Sequence, residues 1–365
     1  MAESVGVGII GTGTIAQAHL ESLRGAPRGR AVAVFDVLGD RAEQTAQQFG
    51  IPYVAKSVED LLARPDVDAV IVCTPPFAHA EPTIKALEAG KHVLCEKPFA
   101  LDPTDAERMV RAAERAGRFL ACASGRGRYS PAQRKAREMM ETGELGDVYH
   151  VRSTSLRFRG RPGHHIFPQS AWFLDSQRAG GGVIMDGAVY TVDSVLWLLG
   201  NPKVLSVTAA MRQFTEEPPA GGVKQDVEDH AVIMLQCEGG KSAVIESAWV
   251  SNMDEADGLF VFGTRAGLRF NPLRKITAQR VDPGEIEAAP GFLGEDIFRP
   301  VQERVFPFEW GGGGMGALGD IAARFVDGIV EGKQPMTPGL DALEVTRVID
   351  AAYRSVRDQR AVALA

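Results

Sequence analysis

The feature that most constrains the fold is a short apolar strand joined to a helix by a glycine-rich turn. Ser4–Ile10 is a β-branched run, and a helical pattern continues to Leu23 after the turn Gly11-Thr12-Gly13-Thr14-Ile15-Ala16. Glycines in such a turn let the backbone approach a pyrophosphate, and the free N–H groups of the helix N-terminus favour that anion. The residues expected to contact the phosphates of a dinucleotide are Gly11, Gly13, Thr14, Ile15 and Ala16.

Strand and helix patterns then alternate as far as Cys122. The predicted strands are Ala31–Phe35, a short one near Tyr53, Val67–Val72, His92–Cys95 and Phe119–Cys122, and the predicted helices are Asp40–Gln48, Ser57–Leu62, His79–Glu88 and Pro103–Ala116. This alternation is typical of a parallel sheet with helices on both faces, which binds ligands at the carboxyl ends of its strands. Residues 1–124 are therefore predicted to form a doubly wound Rossmann domain.

Asp36 ends the second predicted strand, about 20 residues after the glycine turn, as the dinucleotide motif expects. A carboxylate there accepts hydrogen bonds from a ribose 2′-hydroxyl and repels a 2′-phosphate, which favours NAD over NADP. Arg41 is close enough in sequence to keep NADP open as the cofactor. The alternative interpretation is that Asp36 only begins a turn.

Two other strand ends carry polar residues and prolines. The fourth predicted strand runs into Cys73-Thr74-Pro75-Pro76-Phe77, and the fifth runs into Cys95-Glu96-Lys97-Pro98. Carboxyl ends of parallel strands meet at one edge of the sheet, so both segments are expected beside the cofactor. The further residues assigned to cofactor binding are Asp36, Arg41, Thr74, Pro75, His79, Glu96 and Lys97.

The segment 180–199 is predicted to be one buried helix with polar residues on one side. Three glycines open it, and Gly200 and Pro202 follow it as stop signals. Asp186, Tyr190 and Asp193 are spaced i, i+4 and i+7, which places them on a single helical face. Polar groups inside an apolar helix are costly unless they are paired, so this face is a candidate site. The glycines are interpreted as allowing close approach of a bound ligand.

The fingerprint, the Thr-Pro-Pro turn, the run Ala-Gly-Lys-His-Val-Leu-Cys-Glu-Lys-Pro at 89–98 and the Gly-Gly-Gly-x-x-x-Asp helix together resemble one family. It is the family of glucose-fructose oxidoreductase, inositol dehydrogenase and the rhizopine-catabolism oxidoreductases. The resemblance covers nearly the whole chain. It implies that Lys97 is an active-site lysine and that the Lys97–Pro98 peptide bond is cis.

The second half of the chain, 125–365, is predicted to be an α+β domain for substrate binding and oligomerisation. Alternating apolar runs there are typical of antiparallel strands. They are Val148–Phe158, Val204–Met211, His230–Gln236, Ser242–Val250, Leu259–Phe262 and Leu268–Asn271. The family resemblance implies an open, mostly antiparallel sheet with helices, a homodimer or homotetramer formed through one sheet face, and a C-terminal helix that packs back on the first domain.

Lys97, Tyr190 and Asp186 are the predicted catalytic residues. Hydride transfer at a carbinol carbon needs a group that removes or donates the hydroxyl proton. A phenol has a pKa of about 10 and is a poor base at neutral pH unless a cation stabilises the phenolate, and Lys97 is the candidate cation. Asp186 is expected to hold a substrate hydroxyl or to orient the lysine. Whether Tyr190 or Lys97 is the proximate acid/base stays open.

Substrate contacts are predicted for Lys97, Asp186 and Tyr190, and additionally for Arg128, His165 and Trp172. Arg128 matches an arginine that faces the site in the family, although it belongs to a basic cluster, 126–137, that reads most simply as a solvated helix face. Trp172 is equally a core residue, and His165 an ordinary loop histidine. Alternating Arg157, Arg159 and Arg161 would share a strand face and suit a carboxylated sugar. Asp193 is expected to pair with an arginine.

The net charge and the cysteine content limit which functions the protein can have. The formal net charge of −7 argues against a nucleic-acid binder, and no apolar run approaches the length of a membrane span, so the partner is expected to be a small molecule and the location cytoplasmic. The four cysteines lack the spacing of a metal site.

We predict an NAD(P)-dependent oxidoreductase of a sugar, polyol or cyclitol hydroxyl or keto group. The alternatives are an NAD-assisted glycosidase and a non-catalytic sugar or dinucleotide sensor.

Overall fold

A computed structural model of the chain describes residues 4–214, 225–253, 257–277, 302–308 and 320–364. Its first half contains a five-stranded parallel sheet in the order β2-β1-β3-β4-β5. The strands are β1 (Val5–Ile10), β2 (Gly29–Phe35), β3 (Ala69–Val72), β4 (His92–Cys95) and β5 (Leu120–Cys122), and the helices are α1 (Thr14–Arg24), α2 (Gly39–Phe49), α3 (Val58–Leu62), α4 (Ala80–Glu88) and α5 (Pro103–Ala116).

The central strands are apolar throughout because helices cover both faces of the sheet. Every residue of β1 and of β3 is buried. The predicted Rossmann sheet is confirmed. The short strand predicted near Tyr53 is wrong, since only an isolated bridge joins Val34 to Val54 there.

The second sheet has nine strands in the order β13-β12-β11-β10-β6-β9-β8-β7-β14. All neighbouring pairs are antiparallel except β6 and β9, which are parallel. The elements are α6 (Pro131–Glu141), β6 (Val148–Leu156), α7 (Ser176–Ala179), α8 (Val189–Leu198), β7 (Val204–Arg212), β8 (His230–Cys237), β9 (Ser242–Ala248), β10 (Asp257–Gly263), β11 (Gly267–Arg269), β12 (Arg274–Thr277), β13 (Gln302–Val305), α9 (Ile321–Glu331), α10 (Gly339–Asp358) and β14 (Val362–Ala363).

One face of this sheet packs under α8 and α10, and its strands alternate accordingly. On β8, Ala231, Ile233 and Leu235 are buried, whereas Met234 between them is 45% exposed. Such alternation is expected for a sheet that is covered on one face only. The predicted fold class, α/β followed by an open α+β sheet, is confirmed.

The long helix α10 contacts both sheets. Leu343 packs into the core that contains β3 and β4, while Val348 packs into the core of the second sheet. Arg347 also forms an ion pair with Glu107 on α5, at 2.9 Å. The division of the chain at 124/125 stays a prediction. No helix in the described part of the chain has the length and apolarity needed to cross a membrane.

Candidate active site

The glycine turn after β1 has the geometry of a phosphate-binding loop. Gly11 has φ +87°, and a Cβ there would lie 2.9 Å from the backbone of Cys73 and Thr74, so no larger residue fits without strain. A Cβ on Gly13 would meet nothing within 4 Å. Helix α1 begins at Thr14 with no side-chain cap on its free N–H groups. Open space beside uncapped helical N–H groups suits the pyrophosphate of a dinucleotide.

Asp36 follows β2 and is tied into the same turn. Its carboxylate accepts hydrogen bonds from the N–H of Thr12 at 2.7 Å, from the N–H of Leu38 at 2.9 Å and from the Arg41 guanidinium at 2.7 Å. Burial raises the pKa of Asp36, but these hydrogen bonds outweigh it and hold the pKa below its usual value. Asp36 therefore stabilises a turn and also presents an ionised carboxylate beside the phosphate loop.

His79 lies between the turn after β3 and the turn after β4. Its side chain is fully buried, with Nε2 at 2.8 Å from the carbonyl oxygen of Thr74 and Nδ1 at 2.7 Å from that of Pro98. The imidazole thus joins the turn after β3 to the turn after β4. Both ring nitrogens face backbone carbonyls, and the cofactor contact of His79 stays a prediction.

Glu96 has a similar supporting position. It is 3% exposed, and its two carboxylate oxygens lie at 2.8 Å from Nε2 of His19 and at 2.9 Å from the backbone N–H of Lys97. The Lys97–Pro98 peptide bond is cis, as predicted. Sequence reasoning missed His19, although this histidine interrupts the buried face of α1 formed by Ala16, Leu20 and Leu23. Glu96 therefore joins α1 to the turn after β4, and its predicted cofactor contact stays a prediction.

Acid unfolding tests the Glu96 network. Burial alone would raise the pKa of Glu96, but His19 and the Lys97 N–H bring it to about 2, below the usual 4.5. The stability that this carboxylate contributes is present above pH 4.5 and is lost as the pH falls towards 2. We expect Glu96→Gln to lower the free energy of unfolding by about 3 kcal/mol at pH 7, and the difference from the wild type to shrink on acidification. Urea unfolding at several pH values measures this.

The control for that experiment is Glu88→Gln, which changes an exposed glutamate on α4. A surface substitution of this kind is expected to change the unfolding free energy by less than about 1 kcal/mol at either pH. A difference between wild type and Glu96→Gln that is independent of pH would contradict the assignment.

Lys97 contacts Asp186 directly. Its ammonium group donates to Oδ1 of Asp186 and to the backbone oxygen of the same residue, both at 2.8 Å. The ammonium nitrogen also lies 4.9 Å from the ring centroid of Tyr190. The three predicted catalytic residues are therefore brought together from the turn after β4 and from the helical segment 184–198.

Three residues that the sequence did not assign to catalysis complete this group. Nε1 of Trp249 donates to Oδ2 of Asp186 at 3.0 Å, and Arg157 donates to the same oxygen at 3.3 Å. The Arg126 guanidinium lies 3.8 Å from the ring centroid of Tyr190. Trp249 and Arg157 hold the Asp186 carboxylate from the side opposite Lys97.

Charge pairing sets the protonation of this group. Burial would raise the pKa of Asp186, but Lys97 and Arg157 bring it down to about 2. Burial would lower the pKa of Lys97, but Asp186 and Tyr190 raise it above its usual value. Burial raises the pKa of Tyr190, and Lys97 and Arg126 oppose that increase. At neutral pH the site contains a carboxylate and an ammonium ion beside a neutral phenol.

The helix that carries Asp186 and Tyr190 starts later than predicted and with a wider turn. Gly180 ends α7, and a π-helical turn, Ile184–Ala188, precedes α8. Single π-turns are common at functional sites. Here the π-turn contains Asp186, so the regular i, i+4, i+7 face predicted from the sequence does not apply.

The glycines before this helix serve packing within the protein. A Cβ on Gly181 would lie 1.8 Å from the hydroxyl oxygen of Tyr353, and one on Gly182 would lie 2.0 Å from the carbonyl oxygen of Glu228. The Glu228 carboxylate accepts hydrogen bonds from the N–H of Gly182 at 2.9 Å and of Ile184 at 3.0 Å, which caps the helix. The interpretation of these glycines as room for a ligand is therefore wrong.

Comparison with known proteins agrees with this geometry. Residues 5–124 match the model of the oxidoreductase family with an NAD-binding Rossmann fold, and residues 133–269 match the GFO/IDH/MocA C-terminal domain. The 1,5-anhydro-D-fructose reductase of Ensifer adhaerens is 33% identical over 266 residues, which is 72% of this chain and 74% of that protein. The chain belongs to this family.

Two further relatives extend the comparison within the GFO/IDH/MocA family. The D-glucoside 3-dehydrogenase of Escherichia coli (strain K12) is 30% identical over 284 residues, 74% of this chain and 78% of that protein. The crystal structure of GenD2 from gentamicin A biosynthesis, in complex with NAD, is 26% identical with a TM-score of 0.77, and the match covers 100% of this chain and 97% of GenD2. The protein is an NAD-binding oxidoreductase that acts on CH–OH groups.

Arg128 and Asp193 form a buried pair away from Lys97. Nε of Arg128 donates to Asp193 at 2.6 Å, and Nη1 donates to the backbone oxygen of Met336 at 2.8 Å and to Asp341 at 2.5 Å. Arg128 is 1% exposed. The expected pairing of Asp193 with an arginine is confirmed. The guanidinium of Arg128 is held by these three partners, and its substrate contact stays a prediction.

The segment between β6 and α7 does not form the predicted arginine face. Strand β6 ends at Leu156, so Arg157, Arg159 and Arg161 do not alternate along one strand. Arg157 reaches Asp186, whereas Arg161 is fully buried and paired with Asp229 at 2.5 Å. Arg157 is therefore placed beside the catalytic group, whereas Arg161 is paired elsewhere.

His165 and Trp172 lie in that same segment. Nδ1 of His165 accepts a hydrogen bond from the N–H of Arg161 at 3.3 Å, and the Trp172 ring stacks on Phe173 with the ring centroids 3.9 Å apart. Their substrate contacts stay predictions. Among the described residues, no group of three or more histidines, cysteines or acids could hold a metal ion.

Proposed function

We propose that this protein catalyses hydride transfer between NAD and a ring hydroxyl or keto group of a sugar, polyol or cyclitol, with Lys97, Asp186 and Tyr190 moving the proton. The observation that carries the proposal is the 2.8 Å contact between the Lys97 ammonium and the Asp186 carboxylate, made beside Tyr190. Bound NAD supplies the hydride acceptor or donor. The fit of NAD rests on the open phosphate loop at Gly13 and the carboxylate of Asp36.

Each protein group has a distinct task in this proposal. Asp186, ionised and held by Trp249 and Arg157, fixes the direction of the Lys97 ammonium. Lys97 then hydrogen-bonds the reacting oxygen and stabilises negative charge on it. Tyr190 in its phenolate form accepts the hydroxyl proton during oxidation, and the neutral phenol returns a proton during reduction, since it is the remaining proton carrier in this group.

The names of the relatives support a carbohydrate substrate. A reductase of 1,5-anhydro-D-fructose and a dehydrogenase of D-glucosides both act on oxygen-substituted sugar rings. The ammonium of Lys97 and the carboxylate of Asp186 offer a hydrogen-bond donor and an acceptor for the hydroxyl groups of such a ring.

A substrate screen tests the proposal. Purified protein is incubated with NAD or NADP and a panel of neutral sugars, 1,5-anhydrohexitols, alkyl glucosides and inositols, and reduction of the nicotinamide is followed. We expect turnover with at least one ring polyol, and loss of that turnover in Lys97→Met. Tight NADH binding without turnover of any member would contradict the proposal.

Two other functions are separated by the same screen. An NAD-assisted glycosidase would release the aglycone of a nitrophenyl glycoside without net NADH formation. A non-catalytic sugar or dinucleotide sensor would bind NADH and sugar without any turnover. The Lys97–Asp186 pair beside Tyr190 favours an enzyme over a sensor, because a sensor has no need of a proton carrier in its cleft.

Cofactor preference is expected to depend on Asp36 and Arg41. Asp36→Ser removes the charge that repels a 2′-phosphate and releases the Arg41 guanidinium, which now donates to Asp36, to bind that phosphate. We expect the ratio of NADPH to NADH affinity to rise at least about tenfold, because juxtaposed like charges cost several kcal/mol. Fluorescence titration with both cofactors measures the ratio. The double variant Asp36→Ser/Arg41→Gln should lose most of the gain, and an unchanged ratio in Asp36→Ser would contradict the assignment.

The proposed state is a cytoplasmic homodimer or homotetramer that associates through the uncovered face of the second sheet. Apolar side chains exposed there include Met234, at 45%, and Tyr149, at 47%. Light scattering on the purified protein gives the mass, and a monomer at micromolar concentration would contradict this proposal.

A further inference from the structure

We infer that Arg126 acts on the proton-transfer step through Tyr190, as a second cation that stabilises the phenolate through the face of its ring. The inference rests on the proposed function, in which Tyr190 carries the proton. Arg126 belongs to the basic cluster that the sequence pattern interprets as a solvated helix face. The structure places its guanidinium carbon 3.8 Å from the Tyr190 ring centroid, closer than the Lys97 ammonium nitrogen at 4.9 Å.

The position of Arg126 is fixed by the elements on either side of it. Arg126 lies in a 3₁₀ turn, Ala123–Tyr129, that directly follows β5. Two residues further on, Arg128 is anchored to Asp193 on α8 by a buried ion pair with a 2.6 Å contact. Tyr190 is on the same helix, one turn earlier. The Arg128–Asp193 pair therefore docks this turn against α8 at the level of Tyr190.

Asp186 partly cancels the effect that the positive charge of Lys97 has on the phenol of Tyr190. The Lys97 ammonium is paired with Asp186 at 2.8 Å, and that carboxylate raises the pKa of Tyr190 while the lysine lowers it. Burial of the ring raises the pKa of Tyr190 further. A base formed from this phenol near neutral pH therefore needs positive charge in addition to the Lys97–Asp186 pair.

The stacked geometry of Arg126 supplies that charge where the phenolate carries its negative charge. Ionisation of a phenol spreads negative charge from the oxygen into the ring, so a cation over the ring face attracts the ionised form more than the neutral form. A planar guanidinium stacks on an aromatic face more effectively than an ammonium does. Cation–π attraction grows as water is removed from the contact, and the Tyr190 ring is partly buried. Arg126 thus shifts the proton equilibrium without contacting the phenol oxygen.

Two other arginines of the basic cluster lie on α6. Arg137 pairs with Glu141 at 2.9 Å on the outside of α6, and Arg134 is exposed on the same helix. Arg134 is therefore a matched control, because Arg134→Gln removes the same charge from the same cluster without changing the surroundings of Tyr190.

The test is a direct titration of Tyr190, which needs no substrate. Phenolate absorbance is recorded after a stopped-flow jump to alkaline pH, before unfolding, and the trace of a Tyr190→Phe partner is subtracted from that of each variant. We expect Arg126→Gln to raise the pKa of Tyr190 by about one unit or more, Arg126→Lys to raise it less, and Arg134→Gln to leave it unchanged. Circular dichroism confirms that each variant is folded.

With a substrate from the screen, the ionisation that limits kcat/KM should move to higher pH in Arg126→Gln by the same amount. An unchanged pKa of Tyr190 in Arg126→Gln, or an equal shift in Arg134→Gln, would overturn the inference. If Tyr190→Phe retains full turnover, then neither Tyr190 nor Arg126 takes part in proton transfer. In that case the titration of Tyr190 still shows whether Arg126 stabilises its phenolate. Failure of the proposed function and failure of the Arg126 inference are therefore distinguishable.

Discussion

Replacing Tyr190 by Phe is expected to lower kcat for hydride transfer by about 10²- to 10⁴-fold, the usual contribution of a positioned proton-transfer group. The NADH dissociation constant should stay unchanged, because Phe keeps the ring that contacts Lys97 and Arg126 and removes only the hydroxyl group. Steady-state kinetics with the substrate found in the screen and a fluorescence titration with NADH measure the two quantities.

The matched control for this loss is Tyr129→Phe. The Tyr129 hydroxyl accepts a hydrogen bond from the N–H of Met336 at 3.3 Å, so its removal also deletes a partly buried phenol contact. Turnover should be preserved in that variant. If Tyr190→Phe retains full turnover while Lys97→Met does not, Lys97 is the proximate acid/base and Tyr190 only packs against it.

Gly182→Ala is expected to give the largest loss of stability among single-methyl substitutions near the site. The added Cβ would lie 2.0 Å from the backbone oxygen of Glu228 and 2.9 Å from its backbone nitrogen. A backbone clash cannot be relieved by rotating a side chain, and the Glu228 cap on Gly182 and Ile184 ties the two segments together. We expect a loss of about 3 kcal/mol in the free energy of unfolding, at the upper end of the cost of overpacking. Urea unfolding measures it.

Gly187→Ala is the matched control, made in the π-helical turn of the same segment. A Cβ there has no neighbour closer than 3.9 Å. Since alanine is the better helix former, this substitution is expected to be neutral or to stabilise by up to about 1 kcal/mol. Equal destabilisation by both variants would show that loss of backbone freedom, and not the contact with Glu228, accounts for the effect.

Local patterns were sufficient to predict the first sheet and to select the main candidates for catalytic residues. The glycine turn, Asp36 and the Glu-Lys-Pro segment each follow a buried strand, and the carboxyl ends of parallel strands necessarily meet at one edge. That rule places Lys97 near the phosphate loop before any side chain is positioned. The polar residues in the helix 180–199 were also detectable, because Asp186 and Tyr190 interrupt an otherwise apolar run.

Supporting contacts were not detectable in this way. His19 and Glu96 are 77 residues apart, and Trp249 and Asp186 are 63 residues apart. No local spacing relates such pairs, so the sequence pattern assigned Glu96 and His79 to the cofactor although both are used within the protein. The buried ion pairs of Arg128 were undetectable for the same reason, because its partners Asp193 and Asp341 come from α8 and α10.

By itself, the sequence determined the parallel sheet, the NAD-binding turn and the identity of Lys97, Asp186 and Tyr190 as candidates, since these follow from hydrophobic periodicity and from motifs within a few residues. Only the tertiary structure decided which charges face one another. It paired Lys97 with Asp186, enclosed Arg128, and placed Arg126 over Tyr190, because those distances depend on how the second sheet packs against the first.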